Sequence, residues 1–60
     1  MPVITIEGPS IDVEKRRALC CELTDAMERA YGLPRSTFII IMHDTSRETV
    51  ATGGTLLCDR

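Results

Sequence analysis

Phe38-Ile39-Ile40-Ile41-Met42 is the longest uninterrupted apolar run in the 60-residue chain, and no polar residue breaks it. A run this short, rich in β-branched side chains, reads as a strand rather than a helix. Successive side chains of a strand point to opposite faces. An unbroken run therefore has two apolar faces, as expected of a strand covered on both sides, often in a parallel sheet. A partner stands upstream. Val3-Ile4-Thr5-Ile6 is β-branched throughout, and Gly8-Pro9-Ser10 ends it because Pro lacks a ladder donor and Gly permits a turn.

Between the two strands the periodicity is helical. Ser10 or Asp12 can cap a helix, and Asp12 and Glu14 place negative charge where the macrodipole favours it. With 100° per residue, Leu23, Ala26, Met27 and Ala30 fall within about 80° of Leu19 on one side, while Arg17, Cys21 and Glu28 lie opposite. Tyr31-Gly32-Leu33-Pro34 stops the helix, with Gly in the left-handed position and Pro beyond it. Strand, helix and strand make a β-α-β unit with parallel strands and a right-handed crossover. The helix covers one face of the strands and leaves the other bare. Further on, Gly53-Gly54 between Val50 and Leu56-Leu57 reads as a tight hairpin turn, expected to add short strand pairing across subunits.

Size points the same way. A chain of this length buries only about 60% of its unfolded surface and needs a supplement to its core. It has no Trp, one Phe and one Tyr. Its three Cys are an odd number, with Cys20 and Cys21 adjacent, which argues against a disulfide framework. Its single His and those Cys lack the spacing of a structural zinc site. Association of subunits through the bare sheet face is the remaining supplement. The net charge of −2 disfavours a nucleic-acid surface. No run approaches the roughly 20 apolar residues that span a bilayer, and free thiols without a secretory signal read as cytoplasmic.

Chemistry is sparse. No phosphate loop, nucleophile triad or paired metal ligands are present, and Gly53-Gly54 alone is too weak to mark a nucleotide site. Pro2 stands out. Initiator Met is normally removed ahead of a small residue, which would leave a secondary amine at the head of a strand. An α-amino group has a pKa of about 7.7–8.0 in water. Partial burial among apolar residues lowers it towards the range where a general base works best.

The order of pieces, Pro2-Val3-Ile4, Glu7-Gly8, a helix over Lys15–Ala30, Pro34 to Ile41 and Gly53-Gly54, resembles the 4-oxalocrotonate tautomerase family, the short-chain branch of the tautomerase superfamily. The resemblance spans nearly all of residues 1–60, as a single domain. It implies an α/β fold with a β-α-β protomer, dimers that pair their sheets antiparallel, and commonly a trimer of dimers. It implies Pro2 as the general base, without metal or organic cofactor. That base takes a proton next to a carbonyl and returns it further along a conjugated system, as in the isomerisation of 2-hydroxymuconate. Members of the family grip the substrate with one arginine after the Glu-Gly turn and another early in the second strand. The matching positions here are Pro9 (or Ser10) and Ile39, and the family's aromatic wall falls on Val50.

Other cations are candidates for that grip. Arg35 precedes the second strand, at the end of the sheet where Pro2 lies. Arg16 faces inward on the first helical turn, where an antiparallel partner would bring it towards Pro2. Arg47 lies in the polar loop. Cations at a helix N-terminus oppose the macrodipole by about 0.3–1 kcal/mol each, which suggests another use for Arg16; Lys15-Arg16-Arg17 also reads as a solvated run offset by Asp12 and Glu14. His43-Asp44 reads as a strand end rather than a dyad, the cysteines as bystanders, and Met27 and Met42 as core filler. The substrate class is a small enol or dienol acid. Two other readings stay open: a different proline-dependent reaction (hydration or dehalogenation of an unsaturated acid), and a non-catalytic oligomeric module.

Overall fold

A computed structural model describes residues Met1–Arg60. Strand β1 (Val3–Gly8) leads into helix α1 (Val13–Tyr31), a 3-10 turn (Arg35–Thr37) and strand β2 (Ile39–Asp44). A hairpin of β3 (Ala51–Thr52) and β4 (Thr55–Leu56) follows, closed by a second 3-10 turn at Leu57–Asp59. β1 and β2 are parallel, with Val3 opposite Ile39 and Gly8 opposite Asp44. The ladder runs one step past each end: the Ile39 N–H donates to the Pro2 carbonyl (3.1 Å) and the Thr45 N–H to the Gly8 carbonyl (2.7 Å).

Both strands are longer at their C-terminal ends than the apolar pattern suggests. Glu7-Gly8 pairs with His43-Asp44. Backbone hydrogen bonds sustain that pairing whatever the side chains are.

The helix ends are made by local chemistry. Of the two candidate caps, Asp12 serves: its carboxylate accepts from the Lys15 N–H at 2.9 Å. Gly32 closes the other end at φ 68°, donating to the Glu28 carbonyl, a left-handed conformation that suits glycine. Asp12→Ala removes the side-chain acceptor and should lower stability by about 1 kcal/mol per protomer. Denaturant titration with an unchanged m-value checks this, and an unaltered midpoint would remove Asp12 from the account.

The inward face of α1 carries Arg16, Leu19, Cys20, Leu23, Thr24 and Met27, whereas Ala26 and Ala30 are exposed. The buried face is thus rotated towards Cys20 and Thr24 relative to the stripe read from the sequence. The two alanines sit at its margin, and their methyl groups are too short to reach the sheet. Tyr31 packs against Phe38, ring centroids 5.9 Å apart, and ties the end of α1 to the start of β2. The C-terminal hairpin pairs with itself in the protomer. Its turn uses Gly53 (φ 59°) and Gly54 (φ 83°), the two positive angles that a type I′ hairpin demands.

One side of the sheet is covered and the other is not. Ile4, Ile6, Ile40 and Met42 are half-buried, while Val3 (50% exposed) and Ile41 (43%) lie on the opposite face. Only Met27, at 7%, is buried outright. The chain is a slab of 44 × 24 × 13 Å with a radius of gyration of 14.9 Å, against about 10 Å for a compact chain of this length. Its accessible surface of 4576 Å² exceeds the roughly 3,900 Å² expected of a folded monomer of its mass. No helix is long and apolar enough to cross a membrane.

Candidate functional site

Pro2 is half-buried and its carbonyl is fixed by Ile39, whereas Met1 is 85% exposed and makes no hydrogen bond. The β-ladder therefore begins on Pro2, and the terminus frays only at Met1. Ile39 lies one strand over, half-buried, at the same end of the sheet.

The concave part of the protomer is at the other end. A cavity of about 410 Å³ is lined by Glu7 and Pro9 from the exit of β1, by Thr45, Ser46, Arg47 and Val50 from the loop after β2, and by Leu57. Six residue steps of parallel strand at about 3.3 Å each place it roughly 20 Å from Pro2. Three positions singled out by the sequence, Pro9, Arg47 and Val50, thus meet in one cavity, and two, Pro2 and Ile39, meet at the opposite end.

The candidate cations differ in what they hold. Arg16 binds both carboxylate oxygens of Asp44 (2.9 and 3.0 Å), the Ser10 hydroxyl and the Ile11 carbonyl. It fastens the entry of α1 to the end of β2. Arg35 turns away from the sheet end and onto the helix, where it pairs with Asp25 (2.6 Å) and Glu28. The hydrogen bonds it donates, first to Asp25 and then to Glu28, raise its pKa above the ordinary arginine value. Two carboxylates thus share one guanidinium. Arg47 has no carboxylate partner: it donates to the Leu57 carbonyl, and its remaining N–H groups are unspent.

The loop that carries Arg47 is braced. The Thr49 N–H donates to the Ser46 carbonyl (3.1 Å), the Ser46 N–H to the Thr49 hydroxyl (3.0 Å), and the Cys58 N–H to the Arg47 carbonyl (3.0 Å). Turn residues with short hydroxyl side chains favour such local bonds.

Sequence reasoning treated Glu7 as turn punctuation and did not anticipate it in the cavity. It also missed Asp44 as the acceptor for Arg16 and the Asp25–Glu28 pair as the acceptor for Arg35. Those contacts span 28, 10 and 7 residues, and no local periodicity signals them. His43 lies opposite Glu7 on β1. Cys21 is exposed with its sulfur 3.8 Å from an Arg35 nitrogen, Cys20 is half-buried, and all three thiols are free. The protomer thus offers a small cavity with Pro9, Val50 and Leu57 and two hydroxyl side chains in its walls, one guanidinium free of any carboxylate and one carboxylate.

The family model described as tautomerase enzyme matches residues 2–60. The crystal structure of DmpI from Archaeoglobus fulgidus is 38% identical, over 97% of this chain and 100% of that one, with a TM-score of 0.84. A 4-oxalocrotonate tautomerase homologue is 30% identical over 100% of this chain and 97% of its own, with a TM-score of 0.85. A structure from work on 4-oxalocrotonate tautomerase isozymes of Methylibium petroleiphilum is 28% identical over 95% and 94%, with a TM-score of 0.78. No curated protein sequence matches the chain.

Proposed function

The chain belongs to the tautomerase family, and from that premise we propose that it is a cytoplasmic isomerase of small enol or dienol acids with Pro2 as its base. The observation that carries this reading is the setting of Pro2. Its ring is half-buried and its carbonyl is held by Ile39, so its nitrogen has a defined position as soon as Met1 is removed. A neutral amine accepts a proton from the substrate, and the resulting ammonium returns it to a carbon further along the conjugated system. The net change is a 1,3- or 1,5-proton shift, with no atom gained or lost. A positioned base contributes about 10²–10⁴-fold, and substrate orientation and charge stabilisation supply the rest.

The two half-sites, about 20 Å apart in one protomer, imply a complete site built between copies. In an antiparallel dimer, or a trimer of such dimers, the Pro2 end of one copy approaches the Arg47–Val50 end of another. The bare face with Val3 and Ile41 supports association, since a slab with one buried residue needs cover. Ile39 would wall the base, and Val50 and Arg47 the substrate. Arg16 and Arg35 would enter through the ion pairs that hold their elements.

The test joins two measurements. Intact mass should show Met1 absent, and an NMR titration of ¹⁵N-proline protein should give the midpoint of the Pro2 nitrogen. The neutral form is the base, so kcat/KM should fall tenfold per pH unit below that midpoint and level off above it. Burial places the midpoint at or below the ordinary 7.7–8.0. A kinetic limb more than one unit from the NMR midpoint would remove Pro2 from the mechanism.

A further inference from the structure

We propose that the cavity between Glu7 and Arg47 selects substrates bearing a single carboxylate, which Arg47 grips while Glu7 turns a second one away. This rests on the reading that the cavity completes the Pro2 site, and it adds the charge class of the substrate.

Three observations carry it. First, among Arg16, Arg35 and Arg47, only Arg47 is free of a carboxylate and lines the cavity. A guanidinium is a planar fork that matches a carboxylate with two parallel hydrogen bonds. Here one nitrogen is anchored on the Leu57 carbonyl, which orients the plane and leaves other donors for an anion. Second, the turn is braced at Ser46, Thr49 and Cys58, so the grip is pre-formed and little ordering is lost on binding. Third, the lining holds one cation and one anion. Pro9 and the other lining residues besides Arg47 and Glu7 carry no charge, and Glu7 lies on the β1 side of the cavity. The first carboxylate of a ligand meets Arg47. A second would meet the like charge of Glu7 and the uncharged lining of Thr45, Ser46, Val50 and Leu57, which offers hydroxyls but no second cation to offset the cost of desolvating it.

The experiment reads binding and does not depend on turnover. Crotonate and fumarate share a four-carbon unsaturated skeleton and differ by one carboxylate. Calorimetric titration of the assembled protein at fixed ionic strength should show crotonate binding at least tenfold tighter than fumarate. Arg47→Ala should weaken crotonate roughly 10- to 100-fold, the range of a hydrogen-bonded charge pair. Arg47→Lys, which keeps the charge and loses the fork, should recover part of that. Glu7→Gln should narrow the gap between the two acids by roughly three- to tenfold. Size-exclusion profiles check that each variant remains assembled. Fumarate binding as tightly as crotonate, or Arg47→Lys and Arg47→Ala both binding crotonate like the parent, would overturn the proposal. Failure of the Pro2 reading would appear separately, as enol turnover indifferent to the state of the Pro2 nitrogen.

Discussion

A chain in which an uncleaved residue keeps the Pro2 nitrogen in a peptide bond is expected to fold and assemble normally and to lose 10²–10⁴-fold in kcat/KM for enol-to-ketone conversion. An amide nitrogen has no available lone pair, so the block abolishes basicity and leaves the scaffold intact. Met1 is 85% exposed and bonded to nothing, so its presence disturbs neither the Pro2–Ile39 hydrogen bond nor the sheet. The loss equals what general-base catalysis contributes. Pro2→Ala makes a milder contrast. Processing leaves a primary amine of similar basicity, but without the ring that fixes its direction, and kcat/KM should fall by less than in the blocked chain. The two variants therefore rank as blocked below alanine below native. Stopped assays on protein of verified intact mass measure that order. Equal activity in the blocked and native chains would show that the nitrogen takes no part.

Local patterns and long-range contacts are legible in the sequence to different degrees. Phe38–Met42, Val3–Ile6 and the cap signals at Asp12 and Gly32 are local patterns. They foretell the parallel pair, the helix and its ends because each reflects a constraint acting within a few residues. The Gly53-Gly54 turn is legible for the same reason.

Orientation is less local. Ala26 and Ala30 fit the apolar stripe on a helical wheel, yet the helix settles on Cys20 and Thr24, because packing against two particular strands decides the angle. Long-range pairing is not legible at all. Arg16 and Arg35 are attractive anion grips as isolated symbols, and only the fold shows Asp44 on one and Asp25 with Glu28 on the other. The same blindness hid Glu7, whose place in the cavity depends on where the loop after β2 returns.

The bare sheet face makes the strongest demand for a partner. Ile41→Asp is expected to unfold the protein rather than release a folded monomer. Ile41, opposite Thr5, is 43% exposed on the same face as Val3 at 50%, and covering the exposed part of such a side chain is worth about 1 kcal/mol. A carboxylate in its place, enclosed by a neighbouring copy and lacking a cation, adds a penalty of several kcal/mol. A domain with a large core would survive as a monomer. This protomer keeps only Met27 out of solvent, so loss of partners removes most of the apolar burial that opposes chain entropy. Folding and assembly are then one equilibrium, and the native melting temperature should rise with protein concentration. Far-UV circular dichroism of Ile41→Asp should show the helix lost at concentrations where the native chain retains it. Ile41→Val, smaller by one methylene, should stay assembled with a loss of about 1 kcal/mol. A monomeric Ile41→Asp with native helicity would mean that the slab holds itself together, and the case for a site shared between copies would lose its physical basis.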